Sequence, residues 1–164
     1  MATGYIFISP NAGVAPSASP ALWKRVDDTN LTKTVIEYAD ASENYDWVIP
    51  IPGDWASGGT LRIQWRTGTG GSTTNAWHCT VTNISRADTE SSDATLSNSN
   101  ATDLANASAT SGILNVDTLA LTTTGWGANE QLHLRMNRNG ADAGDTLTAV
   151  VIQVFGFMFE YTTT

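Results

Sequence analysis

The strongest signal in the chain is an alternation of apolar and polar positions with a period of two, which places successive side chains on opposite faces of a β-strand. In "TLRIQWRT", Leu61, Ile63 and Trp65 point one way and Arg62, Gln64 and Arg66 the other. "YDWVIPIP" sets Tyr45, Trp47, Ile49 and Ile51 on one face, with Pro50 marking an edge or a strand end. "AWHCTVTN" groups Trp77, Cys79 and Val81 against His78 and Thr80, and "QLHLRMN" groups Leu132, Leu134 and Met136 against His133 and Arg135. The β-branched run "TKTVIEYAD" and the segment "ILNVDTLALTT" read as further strands. No segment shows a convincing helical period, and no internal repeat is present. About eight irregularly spaced strands predict an all-β fold, a single antiparallel β-sandwich of jelly-roll type over residues 32–164.

The last strand breaks the pattern. In "TLTAVVIQVFGFMFEYTT", strict alternation puts Val151, Phe155, Phe157, Phe159 and Tyr161 on one face and Val150, Ile152, Val154 and Met158 on the other. A strand apolar on both faces is buried on both, whereas a sandwich covers only one. The second face is therefore expected to be covered by the N-terminal segment or by another subunit. Residues 1–31 read as an extended N-terminal arm: "YIFIS" allows a short strand, and Pro10, Pro16 and Pro20 exclude a helix or central strand after it. The expected contact surfaces are Ile6, Phe7, Ile8, Val14 and Trp23 on the arm and Val150, Ile152, Val154 and Met158 on the last strand. Residues 85–112 contain no aromatic residue and few large apolar ones, so they read as a long polar loop. Within it, "ATDLANASA" allows at most a helical turn or two.

Composition narrows the function classes. Hydrophobic residues make up 41% of the 164, enough for a folded core, and only 15% are charged. The formal charge is −8, and the eight Lys and Arg residues are scattered, which argues against direct nucleic-acid binding. No apolar run is long enough to cross a membrane as a helix. The start "MATGYIFISPNAG" lacks a secretory pattern, so synthesis in a cytoplasm is expected. Cys79 is the single cysteine, which excludes a disulfide within the chain.

Candidate chemistry is sparse. "MNRNGADAGDTLTAV" resembles a calcium loop at first sight, with Asp142 and Asp145 as the ligands it would use. It lacks the EF-hand spacing of oxygen ligands and has no closing Glu. Asn139-Gly140 between two alternating strands favours a plain hairpin turn instead. His78, Cys79 and His133 are the soft metal-ligand types, but His78 and Cys79 face opposite sides of one strand and cannot close on one zinc. Glu37, Glu43, Asp46, Asp54 and Glu130 could form an acid pair for glycoside hydrolysis, yet no spacing singles out two of them. "GTGGST" lacks the lysine and helix of a phosphate loop, and no Gly-x-Ser-x-Gly elbow occurs. No enzyme and no cofactor are expected. Of the six tryptophans, Trp47, Trp65 and Trp77 fit core positions, whereas Trp23, Trp55 and Trp126 lie in the arm or in turns. Trp55 and Trp126 could plug the sandwich ends, anchor a partner, or stack on sugar rings. The sequons at Asn83, Asn100 and Asn106 read as chance matches in an Asn/Ser/Thr-rich chain.

Three segments together carry a resemblance: "YIFISPNAG", "WVIPIPGDWASGGTLRIQW" and "LHLRMNRNGADAGDTLTAVVIQVFGFMFEYTT". Their order resembles that of small β-sandwich virion proteins of tailed bacteriophages, with residues 85–112 left unmatched. The resemblance implies a non-enzymatic virion component, most often a capsid decoration (cement) protein. Such a protein forms homotrimers and binds the major capsid protein on the outer capsid surface. The rival reading is a carbohydrate-binding or adhesion module, or a minor fibre or tail protein of the virion, with a host surface glycan as partner of the adhesion module.

Overall fold

The computed structural model describes residues 1–39 and 41–164. Among them the chain forms eleven strands and one short 3-10 turn. The strands are β1 (Thr3–Ile8), β2 (Gly13–Val14), β3 (Leu22–Asp27), β4 (Thr32–Tyr38), β5 (Ser42–Pro50), β6 (Trp55–Thr67), β7 (Ala76–Arg86), β8 (Asn98–Ala105), β9 (Asn115–Ala120), β10 (Gln131–Asn139) and β11 (Ile152–Thr163). They make two antiparallel sheets. The first has the order β3-β4-β11-β6-β9, with β1 also paired to β11, and the second has the order β2-β5-β10-β7-β8.

From β4 to β11 the topology is a jelly roll. One four-strand sheet runs β4-β11-β6-β9, the other β5-β10-β7-β8. Successive strands cross between sheets except at the β7–β8 pair, and the last strand lies beside the first. The expected inward residues are buried: Trp47 and Ile49 on β5, Leu61, Ile63 and Trp65 on β6, Trp77, Cys79 and Val81 on β7, Leu132, Leu134 and Met136 on β10. Trp65 and Trp77 meet edge to face across the two sheets, with centroids 5.9 Å apart.

Two segments differ from the expectations. Residues 1–31 are not an arm. β1 pairs with β11 from Thr3↔Thr162 to Ile8↔Phe157, and β3 pairs along β4. The prolines fall between these strands: Pro10 opens the 3-10 turn and Pro20 makes a single bridge to Asn44. The pairing backbone at 3–8 and 22–27 is therefore left with its full set of N–H donors. Residues 85–112 also contain a strand, β8, paired with β7 from Ala76↔Ala105 to Asn83↔Asn98. As an edge strand it buries only Leu104, so its sequence carries little apolar signal.

The last strand keeps its two apolar faces by changing register. A β-bulge interrupts the β11–β6 ladder between Val154 and Gly156. Before it, Ile152 and Val154 point into the sandwich; after it, Phe157, Phe159 and Tyr161 do. One extra residue thus brings both apolar sets to the same side. Ile152 and Val154 are wholly buried in the subunit, and Val150 and Ile8 nearly so. These four are core residues and not the expected contact surface. The opposite side of this half of the sheet is covered by the chain itself. Arg66 binds Asp28 through both guanidinium Nη atoms at 2.8 and 3.0 Å and donates Nε to Gln153 at 2.8 Å. The Arg66 guanidinium and Lys33 Nζ each lie 5.4 Å from the centre of the Phe155 ring.

Candidate functional site

The carboxylates that could have served as an acid pair each carry a structural bond. Glu37 accepts from Lys24 at 3.0 Å and from Gln153 at 3.0 Å. Glu43 accepts the Ala39 N–H at 2.6 Å, Asp46 holds Arg135 with two bonds of 2.7 Å, and Asp54 accepts the Tyr161 hydroxyl at 3.1 Å. Glu130 accepts from Ser85 and from the Gly127 N–H. No two of them face each other across a cleft in these interactions. Cys79 is buried, and burial pushes its thiol well above the ordinary range, so it is a packing residue rather than a nucleophile.

The stretch 139–151 is not a hairpin, because β10 and β11 belong to different sheets. Two successive turns form instead, closed by Asp142 N–H to Asn139 C=O and Asp145 N–H to Asp142 C=O, both at 3.0 Å. Asp142 and Asp145 do not converge on a common calcium position. Both Asp145 oxygens bind Arg138, Oδ2 from Nε at 2.7 Å and Oδ1 from Nη2 at 2.8 Å, and both side chains are fully buried. Arg138 also donates to the carbonyls of Ala39, Leu147 and Val150. This pair fastens the β10–β11 connection to the core. An Arg at an inward position of β10 is the sequence signal for it, since a buried guanidinium requires a carboxylate partner.

Asp142 has other company. Its Oδ1 accepts the Gly144 N–H at 2.8 Å and lies 3.5 Å from His78 Nδ1. The same His78 nitrogen lies 2.7 Å from Asp103 Oδ1. Asp103 stands opposite His78 on β8, within the segment read as a loop, so sequence spacing could not pair them. His133 is on the outer face of the second sheet and takes no part.

The exposed apolar surface concentrates on the outer face of the first sheet. Tyr5 and Phe7 on β1 are each 55% exposed, and Leu114 and Val116 at β9 are 55% and 54% exposed. Phe7 stands opposite Met158, and Met158 opposite Arg62, so a row crosses β1, β11 and β6. Phe7, Leu114 and Phe155 line one shallow cleft with Gln64. Arg62 donates to Glu160 at 2.6 Å within the same face. Aromatic, Met and Arg side chains on an exposed sheet face are the composition of protein–protein contact surfaces. β1 pairs only with β11 among the described strands, which leaves its other edge unpaired beside this face.

Of the expected contact residues, Phe7 and Met158 therefore lie on this face, and Ile6 points inward and packs on the core. Val14 is exposed at the edge of the other sheet. Trp23 is 53% exposed on β3, with its indole donating to Asn11. Tyr5, Leu114 and Val116 were not among the residues singled out by sequence. Tyr5 alternates with Ile6, and the face of β9 is set only by its pairing with β6.

Trp126 is buried against Phe159 and donates to Asn83, so it is not free to stack on a sugar. Trp55 packs beside Trp126 and donates to Gly58 C=O at 2.8 Å. The two close one end of the sandwich. Asn83 and Asn106 of the sequons are buried: Asn83 Oδ1 accepts from Asn98 and Trp126, and Asn106 Nδ2 donates to the Ser72 carbonyl. No protein-family model matches the chain, and no curated protein matches it.

Proposed function

We propose that the chain is a non-enzymatic structural protein of a bacteriophage virion: a capsid decoration subunit that forms a homotrimer and binds the major capsid protein on the outside of the shell. The single observation behind an assembly role is the outer face of the first sheet, where Tyr5, Phe7, Leu114 and Val116 remain more than half exposed. Partner identity and trimeric state rest on the resemblance of the three sequence segments. Physically, each copy would remove apolar area from water at about 25 cal/mol per Å², and several attachments per assembly would multiply modest affinities. The carboxylates, by contrast, are occupied in holding loops and sheets together.

The test is mass by light scattering together with co-sedimentation on bare shells of the cognate capsid protein. A trimer that sediments with shells is expected. Phe7→Asp and Met158→Asp should each lower the mass and the sedimented fraction while leaving the far-ultraviolet circular dichroism unchanged. A parent chain that stays monomeric and does not sediment with shells would overturn the reading.

A further inference from the structure

We propose that His78, Asp103 and Asp142 form a divalent-metal site that takes zinc in preference to calcium. His78 Nδ1 and one oxygen of each carboxylate all lie within 4.8 Å of one another. The measured pairs are 2.7 Å to Asp103 and 3.5 Å to Asp142. Ligand atoms on a tetrahedral zinc with bonds of about 2.0–2.1 Å sit roughly 3.4 Å apart, so small side-chain rotations suffice.

Three separate elements supply the ligands: β7, its cross-strand neighbour β8, and the β10–β11 connection. The connection is held in place just after Asp142. The Gly144 N–H orients the Asp142 carboxylate, and the buried Arg138–Asp145 pair anchors the next turn. A β-carbon at Gly144 would stand 2.3 Å from Asp103 Oδ1, so a larger residue there would push this carboxylate aside. The loop backbone at Gly144 thus lies close against the Asp103 carboxylate.

Charge favours a cation. Two carboxylates face one imidazole, and among the described residues neither forms an ion pair with Lys or Arg. The metal would take the place of the direct contact between His78 Nδ1 and Asp103 Oδ1. One nitrogen and two oxygens with solvent access match zinc, which accepts three protein ligands and a water. Calcium takes six to eight oxygens, and this set supplies too few. The side chains are 17%, 51% and 38% exposed, so an ion can enter without the fold opening.

The chain suits a clean test, because its only other soft ligands are His133 and the buried Cys79. Chelator-treated full-length protein is titrated calorimetrically with zinc chloride and, separately, calcium chloride at neutral pH. One zinc per chain is expected, with a raised melting temperature and no calcium binding over the same concentrations. His78→Ala and Asp142→Asn should each weaken zinc binding at least about tenfold, whereas His133→Ala should leave it unchanged. Imidazole nitrogen resonances of the parent protein give a reading without substitution: zinc should shift His78 Nδ1 and leave His133 in place. Absence of saturable zinc binding, equal affinity in a folded His78→Ala protein, or a shift at His133 alone would overturn the site and leave a hydrogen-bonded His–carboxylate cluster.

Discussion

Gly156 brings its backbone against that of Ile8 so closely that a β-carbon would lie 2.4 Å from the Ile8 carbonyl oxygen. Its φ of +122° is also one that side-chain-bearing residues avoid. This glycine sits at the β-bulge, where β4 stops pairing with β11 and β1 takes over. Gly156→Ala should therefore cost about 2 kcal/mol or more, the sum of backbone strain and displacement of β1. Urea unfolding monitored by tryptophan fluorescence would read it.

Ile152 and Met158 test the same bulge from its two sides. Ile152 is wholly buried, and Met158 is only partly buried on the outer face. Ile152→Ala should lose about 2–5 kcal/mol. Met158→Ala should lose about 1 kcal/mol or less in the isolated subunit. Equal losses in paired denaturation curves would contradict the change of face at Gly156.

The Arg138–Asp145 pair predicts an asymmetric response. Asp145→Ala removes the carboxylate that accepts from both Nε and Nη2 of the buried Arg138 and should cost about 3–5 kcal/mol. Arg138→Lys keeps the charge but loses the two-pronged geometry, and should fall between parent and Asp145→Ala. Equilibrium unfolding of the two variants checks the order.

Asp28 predicts a pH dependence. Hydrogen bonds from Arg66 and then Lys33 hold its carboxyl well below its ordinary value of 3.8. A carboxyl depressed in the folded state contributes stability above the unfolded value, and that contribution fades as pH falls toward the folded one. The melting-temperature gap between parent and Asp28→Asn should therefore be full at about pH 6 and shrink progressively below about pH 4. A gap that is constant with pH would remove Asp28 from the acid response.

Much of the roll was legible because burial on one side of a strand writes a period of two into the sequence. The faces of Leu61, Ile63 and Trp65, or of Leu132, Leu134 and Met136, needed nothing else. Edge strands write almost nothing: β8 buries one residue and β3 none, beside a proline-rich link. Of the outer face, sequence indicates Phe7 and Met158; of the second cluster it indicates His78 and Asp142 separately, but not Asp103 or their meeting. The His78–Asp103 pair depends on register between β7 and β8, which no local pattern reports.

The sequence by itself determined the all-β class, the inward faces of the central strands and the internal character of Cys79, since each follows from alternation within a few residues. Tertiary structure alone decided which side of the last strand is hidden. One added residue at a bulge reverses every later side chain, and the space that selects Gly156 there is set by the Ile8 carbonyl, almost the whole chain length away.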